Sequence, residues 1–329
     1  MHLKTMLSAA LVCLIAVSTV TIQAADKNEA ISLYNGKNLD GWKVVGGNPN
    51  SWKANGELLS CVAPGGGWLQ TKKMYSDFML ELEYKIPAEG NSGVALRVPE
   101  DGHQAHDGME IQILDDNAQK YQKMNLKPSQ FTGGIYYQAA AKQGAAKGPE
   151  EWNKYQITCR GPFITIELNG KVINEVDIDE YTTGKGNKRP LAERPRIGMV
   201  GLQSHGTQVD FRNVKLTDLT KSIEDGLRYI DLVEGTGKTV PQKATVKVHY
   251  TGWLANGKKF DSSRDRGEPI EFGLDGVIKG WTLGLPGMKV GGRRQLIIPS
   301  DYGYGARGAG RSIPPNSMLI FDIELLDVR

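Results

Sequence analysis

The sequence predicts a mostly β protein of about two domains. Three observations lead there. The chain has 329 residues, and a domain usually takes roughly 100–200. Glycine reaches 40 residues, about 12% where ~7% is ordinary, without a G-x-y period, which favours turn-rich β structure over helix bundles. Short runs alternate apolar and polar positions, and no long helical pattern interrupts them. Apolar residues make up 40% and charged residues 23%, ordinary globular usage that excludes wholesale disorder. The balance of 40 basic against 37 acidic residues is too even for a dedicated nucleic-acid binder, which needs a concentrated basic face.

The chain opens on what reads as a secretory signal over residues 1–24. His2 and Lys4 give a basic start, Met6 to Val20 is apolar, and Thr21-Ile22-Gln23-Ala24-Ala25 offers small residues for cleavage. The apolar run falls short of the ~20 residues that span a bilayer comfortably, though an uncleaved anchor is the rival reading. Cys13 follows Val12, not the small residue a lipid-attachment site wants. The mature protein is therefore expected to be exported, periplasmic or secreted, with no stable membrane span. Cys61 and Cys159 then remain, each in an apolar strand-like run, and read as small buried residues. They form no zinc signature, and no metal or cofactor is expected.

Residues 26–219 form the first expected domain. Phe78-Met79-Leu80-Glu81-Leu82-Glu83-Tyr84, Gln156-Ile157-Thr158-Cys159 and Phe163-Ile164-Thr165-Ile166-Glu167-Leu168 alternate with period two, so each predicts a strand with one buried face. Asn169-Gly170 predicts a tight hairpin, since both residues tolerate positive φ. Many short strands of this kind point to a β-sandwich or jelly roll. Lys142 to Glu150 reads as an exposed loop. A polar, charged stretch at 220–225 reads as the linker. Strands resume in residues 226–329, a length sufficient for a core of its own.

The second domain carries the more specific pattern. In order stand Val248-His249-Tyr250-Thr251-Gly252-Trp253-Leu254, Asn256-Gly257-Lys258-Lys259-Phe260-Asp261-Ser262-Ser263, Val277-Ile278-Lys279-Gly280-Trp281, Asp301-Tyr302-Gly303-Tyr304-Gly305, Ile313-Pro314-Pro315-Asn316 and Leu319-Ile320-Phe321-Asp322-Ile323-Glu324-Leu325. This segment closely resembles the FKBP-type peptidyl-prolyl isomerases over essentially all of 226–329. The resemblance implies an α+β domain, an antiparallel sheet wrapped on a short helix, acting on proline-containing polypeptides. Such chemistry needs no nucleophile. Rotation about an X-Pro bond is slow because amide resonance must be broken. A dry pocket helps because the twisted amide separates less charge than the planar one. Aromatic residues on strands are often plain core. The resemblance makes Tyr250, Phe260, Phe272, Trp281, Tyr304 and Phe321 a pocket, with Trp281 as floor and Val277 and Ile278 at its edge. It also implies a substrate carbonyl on the Ile278 backbone N–H and a second hydrogen bond from the Tyr304 hydroxyl. Asp261 is expected to meet the twisted carbonyl or to orient Tyr250. Ile270 and Ala309 depart from the family at the rim.

The first domain resembles the bacterial 3-keto-disaccharide hydrolase domain, a concanavalin-like β jelly roll. The matching runs are Leu33-Tyr34-Asn35-Gly36-Lys37-Asn38-Leu39-Asp40-Gly41-Trp42, Asn91-Ser92-Gly93 with Arg97, Gly108-Met109-Glu110-Ile111-Gln112-Ile113-Leu114-Asp115, Glu151-Trp152-Asn153, Leu168-Asn169-Gly170, and Gly201-Leu202-Gln203-Ser204-His205-Gly206 before Phe211-Arg212-Asn213. Glu110 and Gln112 stand two apart and share a strand face, with Met109, Ile111 and Ile113 turned to the core. Periodicity alone reads that polar face as solvated. With the resemblance, Asn91, Arg97, Glu110, Gln112 and His205 become a surface for oxidised glycosides or other glycans. A base there would act beside a 3-keto group, whose neighbouring C–H is acidified. The paired carboxylates of ordinary glycosidases are not evident. His103, His106 and Asp107 read as a surface loop, and Arg212 as a strand anchor.

The leading expectation is thus an exported isomerase fused to a jelly roll that binds or cleaves oxidised glycosides. One rival makes the protein chiefly a carbohydrate-active enzyme with an accessory folding domain. Another makes it a non-catalytic chaperone anchored on glycans.

Overall fold

A computed structural model describes residues 29–62, 66–185 and 188–329. The expected signal segment lies outside the described residues. The fold is mostly β, with 44% strand and 9% helix, and every strand pairing is antiparallel.

Two sheets make the first half. The larger runs Lys171–Asp177, Phe163–Leu168, Asn153–Arg160, Phe78–Lys85, Val209–Asp218, Leu58–Cys61, Trp52–Asn55, with Ile31–Ser32 added on Val209–Asp218. The smaller runs Trp42–Val45, Gly67–Thr71, Met199–Ser204, Asn91–Val98, Met109–Leu114. Period-two alternation decides what each face meets. Phe78, Leu80, Leu82 and Tyr84 from one sheet and Val94, Leu96, Met109, Ile111 and Ile113 from the other share one buried core. Cys61 and Cys159 sit in that core as expected of small apolar residues. The Asn169-Gly170 hairpin forms as predicted. Both residues take positive φ, 51° and 81°, and Leu168 pairs with Lys171.

The second half is one sheet ordered Lys221–Glu224, Leu227–Val233, Arg293–Ile298, Leu319–Val328, Thr245–Leu254, Lys259–Ser262, with Ile270–Gly273 also on Thr245–Leu254. The short helix Lys279–Gly284 packs on its inner face, burying Trp281. The stretch 220–225 is not an open tether. Lys221–Glu224 pairs with Leu227–Val233 as a short charged edge strand, the usual guise of an edge exposed to water. Among the described residues no helix is long and apolar enough to cross a membrane.

Candidate functional sites

The inner face of the second sheet holds an aromatic basin. Tyr250 and Phe321 rise from neighbouring strands, and the helix brings Trp281 between them. Trp281 meets Phe321 edge-on at 5.1 Å between centroids and Tyr250 at 5.4 Å. Phe272 lies 5.1 Å from Trp281, and Phe260 5.4 Å from Phe321. Edge-to-face contacts of this kind are a preferred arrangement of aromatic pairs. The Trp281 indole N–H is buried without a protein partner. Phe260, Phe272, Val277 and Ile278 pack at the margin of this core, and Ile278 caps the helix with extended backbone and no capping side chain. Tyr304 is 40% exposed and Ile270 38%, so both stand at the mouth.

Between the two roles expected of Asp261, the geometry holds the second. Tyr250 donates its hydroxyl to Asp261 Oδ2. The sequence reading missed Arg266, five residues on. Arg266 donates to Asp261 Oδ1 at 2.5 Å and to the Tyr250 hydroxyl at 3.2 Å. Partial burial pushes the Asp261 carboxyl up, but the Tyr250 and Arg266 hydrogen bonds and the Arg266 charge outweigh it and hold the group below its ordinary value. Burial raises the Tyr250 and Tyr304 hydroxyls, and the Asp261 charge adds to both. They remain neutral donors at physiological pH.

In the jelly roll the outer face of the smaller sheet carries two cross-strand rows. One runs Lys43, Gln70, Gly201, Ala95, Glu110; the next begins Val45, Trp68, Gln203 and ends on Gly93 and Gln112. The central strands are carpeted by Gly93, Ala95 and Gly201. A Cβ on Gly93 would come within 2.6 Å of the Glu110 carboxylate, and one on Gly201 within 3.2 Å of Trp68. These small residues leave room for the large polar side chains beside them. Gln112 donates to Asn91 Oδ1 at 2.8 Å. Gln203, quoted in the sequence motif but given no role there, hydrogen-bonds Glu110 and leaves its own Oε1 buried without a partner. Glu110 is only 4% exposed. Burial, offset in part by Gln203, pushes its carboxyl up to about 8.

Asn91, Glu110 and Gln112 are thus brought together, while Arg97 is not. The resemblance placed Arg97 on this face. The pairing slips between Met199 and Gly201, and Arg97 itself takes φ of 50°. That irregularity turns the side chain inward, where it donates to the Ser76 and Gly161 carbonyls at 2.7 and 2.8 Å beside Asp77. His205 is exposed in the turn beyond Met199–Ser204. His103 and His106 stack at 4.2 Å, and His106 contacts Lys188 Nζ at 2.9 Å. Arg212 pairs with Glu83 and lies over the Trp152 ring, an anchor as predicted. A separate cavity of about 300 Å³ lies at the loops around Asp116, Phe131 and Lys147.

The 3-keto-alpha-glucoside-1,2-lyase-like domain model matches residues 29–217, more than half of the chain, and the FKBP-type peptidyl-prolyl cis-trans isomerase model matches 237–326. An FK506-binding protein of Neisseria meningitidis is 59% identical over 100 residues, 30% of this chain and 92% of that protein. The chain belongs to both families. A probable FKBP-type isomerase of Haemophilus influenzae is 58% identical over 108 residues, 33% of this chain, which spans 45% of that relative's length. The jelly roll is similar to the crystal structure of a candidate glycosyl hydrolase from Parabacteroides distasonis, with TM-score 0.53 and 33% identity over 58% of this chain and 100% of that one.

Proposed function

We propose that this is an exported protein with two activities, X-Pro bond rotation in the C-terminal half and cleavage of 3-keto-glycosides in the jelly roll. The observation that carries the first is the basin of Tyr250, Phe272, Trp281 and Phe321, with Asp261 locked to Tyr250 and Arg266. The proline ring lies over Trp281. The amide twists in a setting poor in water, which favours its less charge-separated state. The Ile278 N–H and the Tyr304 hydroxyl hold the flanking carbonyls. Slower isomerisation of a prolyl peptide by a Trp281→Ala chain tests this, and unchanged kcat/KM would refute it.

The second activity rests on Glu110, a lone buried carboxyl on a floor of small residues, held by Gln203. In its ionised form it takes the proton from the carbon between the keto group and the anomeric carbon. The C–H electron pair becomes a C=C bond, and the glycosidic C–O bond breaks with its pair going to the departing oxygen, which takes up a proton from water to leave as the alcohol. The keto group makes this possible by delocalising the developing carbanion. Incubation with a 3-keto-glucoside tests it: an unsaturated keto sugar and a free alcohol should form together. Binding of the sugar without turnover would replace this reading by a lectin-like one. Export rests on the basic start and apolar run of residues 1–24, and comparison of the mature N-terminus with Ala24-Ala25 tests it.

A further inference from the structure

The outer face of the isomerase sheet is not turned to water. Trp253, Ile320, Ile297 and Arg228 form one cross-strand row, and Thr251, Asp322, Gln295 and Ile230 the next. All of these except Arg228 are buried, although the sheet's own core lies on its other side. The jelly roll covers them. Ile197 and Met74 of the first half cluster with Ile297, Ile320, Ala255 and Met318 of the second. The Arg196 guanidinium lies 5.1 Å from the Trp253 ring centre.

We infer that this face is a docking surface whose permanent partner is the jelly roll of the same chain, so that the two halves unfold as one cooperative unit anchored on buried Asp77.

Three further features support that inference. Backbone meets partner closely from both sides. A Cβ on Gly161 would strike Leu232 at 2.6 Å, and one on Gly257 would meet the Glu193–Pro195 backbone at 2.8–3.0 Å. Charges interlock across the seam. Asp179 of the jelly roll takes Arg196 from its own half and Arg293 from the isomerase at 3.3 Å, and Arg293 continues to Asp322 at 2.7 Å. Asp77, fully buried, accepts the Gly161 N–H at 2.6 Å and the Gln295 amide at 2.6 Å. The connection is also short and pinned. Only Leu219 and Thr220 separate the two sheets' strands, and the Leu219 N–H bonds the Asp77 carbonyl. Domains joined by small polar contacts move freely, whereas a large apolar seam removes that freedom. The same Asp77 holds Arg97, two residues beyond the Ala95 that faces Glu110, so the seam ends beside the sugar face.

Calorimetry of the full chain tests this. We expect a single transition whose calorimetric and van't Hoff enthalpies agree. A saturating prolyl peptide should raise the whole transition, including the hydrogen-exchange protection of jelly-roll amides such as those of Leu80 and Phe211. Ile297→Glu should split the transition in two. Because that variant risks misfolding, Gln295→Ala provides a milder arm, expected to melt a few degrees lower. Two transitions in the unaltered chain, with the peptide moving only one, would overturn the inference. A Gln295→Ala chain melting as the unaltered chain does would overturn the anchoring role of Asp77.

Discussion

Replacing Glu110 with glutamine probes the polar face of the smaller jelly-roll sheet through stability and chemistry together. The carboxyl is buried, and that burial, opposed by the Gln203 hydrogen bond, raises it from 4.5 to about 8. Gln203 hydrogen-bonds the carboxyl, and Tyr136 lies close enough to feel its charge. A folded value above the unfolded one means that the folded chain holds the proton more tightly. Stability from this group is complete below the unfolded value near 4.5 and is lost as pH rises through about 8. The loss is roughly 1 kcal/mol per pH unit inside that window, hence on the order of a few kcal/mol across it. Glutamine cannot ionise, so urea unfolding of the variant should lack this slope. The two chains should be close at about pH 5, and the variant the more stable at about pH 9. Parallel profiles would refute the assignment of Glu110 as a buried titrating group. The same variant separates catalytic from binding roles. The amide keeps the size and one acceptor but cannot take a proton, so turnover of a 3-keto-glucoside should vanish while affinity survives. In the unaltered chain the rate should climb with pH towards a plateau above about 8, as the base ionises. A rate that falls through that range, or a glutamine variant with full turnover, would remove Glu110 as the base.

Other consequences are checked as simply. Tyr304→Phe combined with Asp261→Ala should lower kcat/KM for prolyl isomerisation while circular dichroism stays unchanged; equal rates would place the chemistry elsewhere. Arg266→Ala removes the cation that helps hold Asp261 below its ordinary value, so NMR titration of the Asp261 carboxyl should move upward. Arg97→Leu leaves Asp77 buried without its counter-charge, and breaking a buried pair in this way costs about 3–5 kcal/mol, readable as a lowered urea midpoint.

Period two was sufficient to place Glu110 and Gln112 on one face and Met109, Ile111 and Ile113 on the other. It was not sufficient to say that the polar face is buried. That depends on Gly93, Ala95 and Gly201 lying side by side on strands far apart in sequence. Arg97 shows the limit most plainly. Strict alternation puts it beside Glu110, but one slipped pairing and a positive φ send it to Asp77. The aromatic basin was legible because ordered motifs, not periodicity, specified it. Arg266 carried no such motif, although a basic residue five positions after Asp261 at a charged turn was a signal available to find. The 220–225 stretch misled because a charged edge strand and a linker share one composition.

The docking and the isomerase chemistry use opposite faces of one sheet, and this decides how the fusion can work. Residues of one parity on Thr245–Leu254 point inward, where Tyr250 meets Trp281. Those of the other parity, Thr251 and Trp253, point to the jelly roll. The seam can therefore be as apolar as a core without obstructing the mouth marked by Tyr304 and Ile270, which stays exposed. An isolated isomerase domain would turn Trp253, Ile297, Ile320 and Ile230 to water together, a contiguous apolar patch of the kind that soluble monomers avoid. Polar residues at those four positions would be the ordinary outcome for a domain that works alone. Their apolar character argues that this isomerase is built to be carried by its jelly roll.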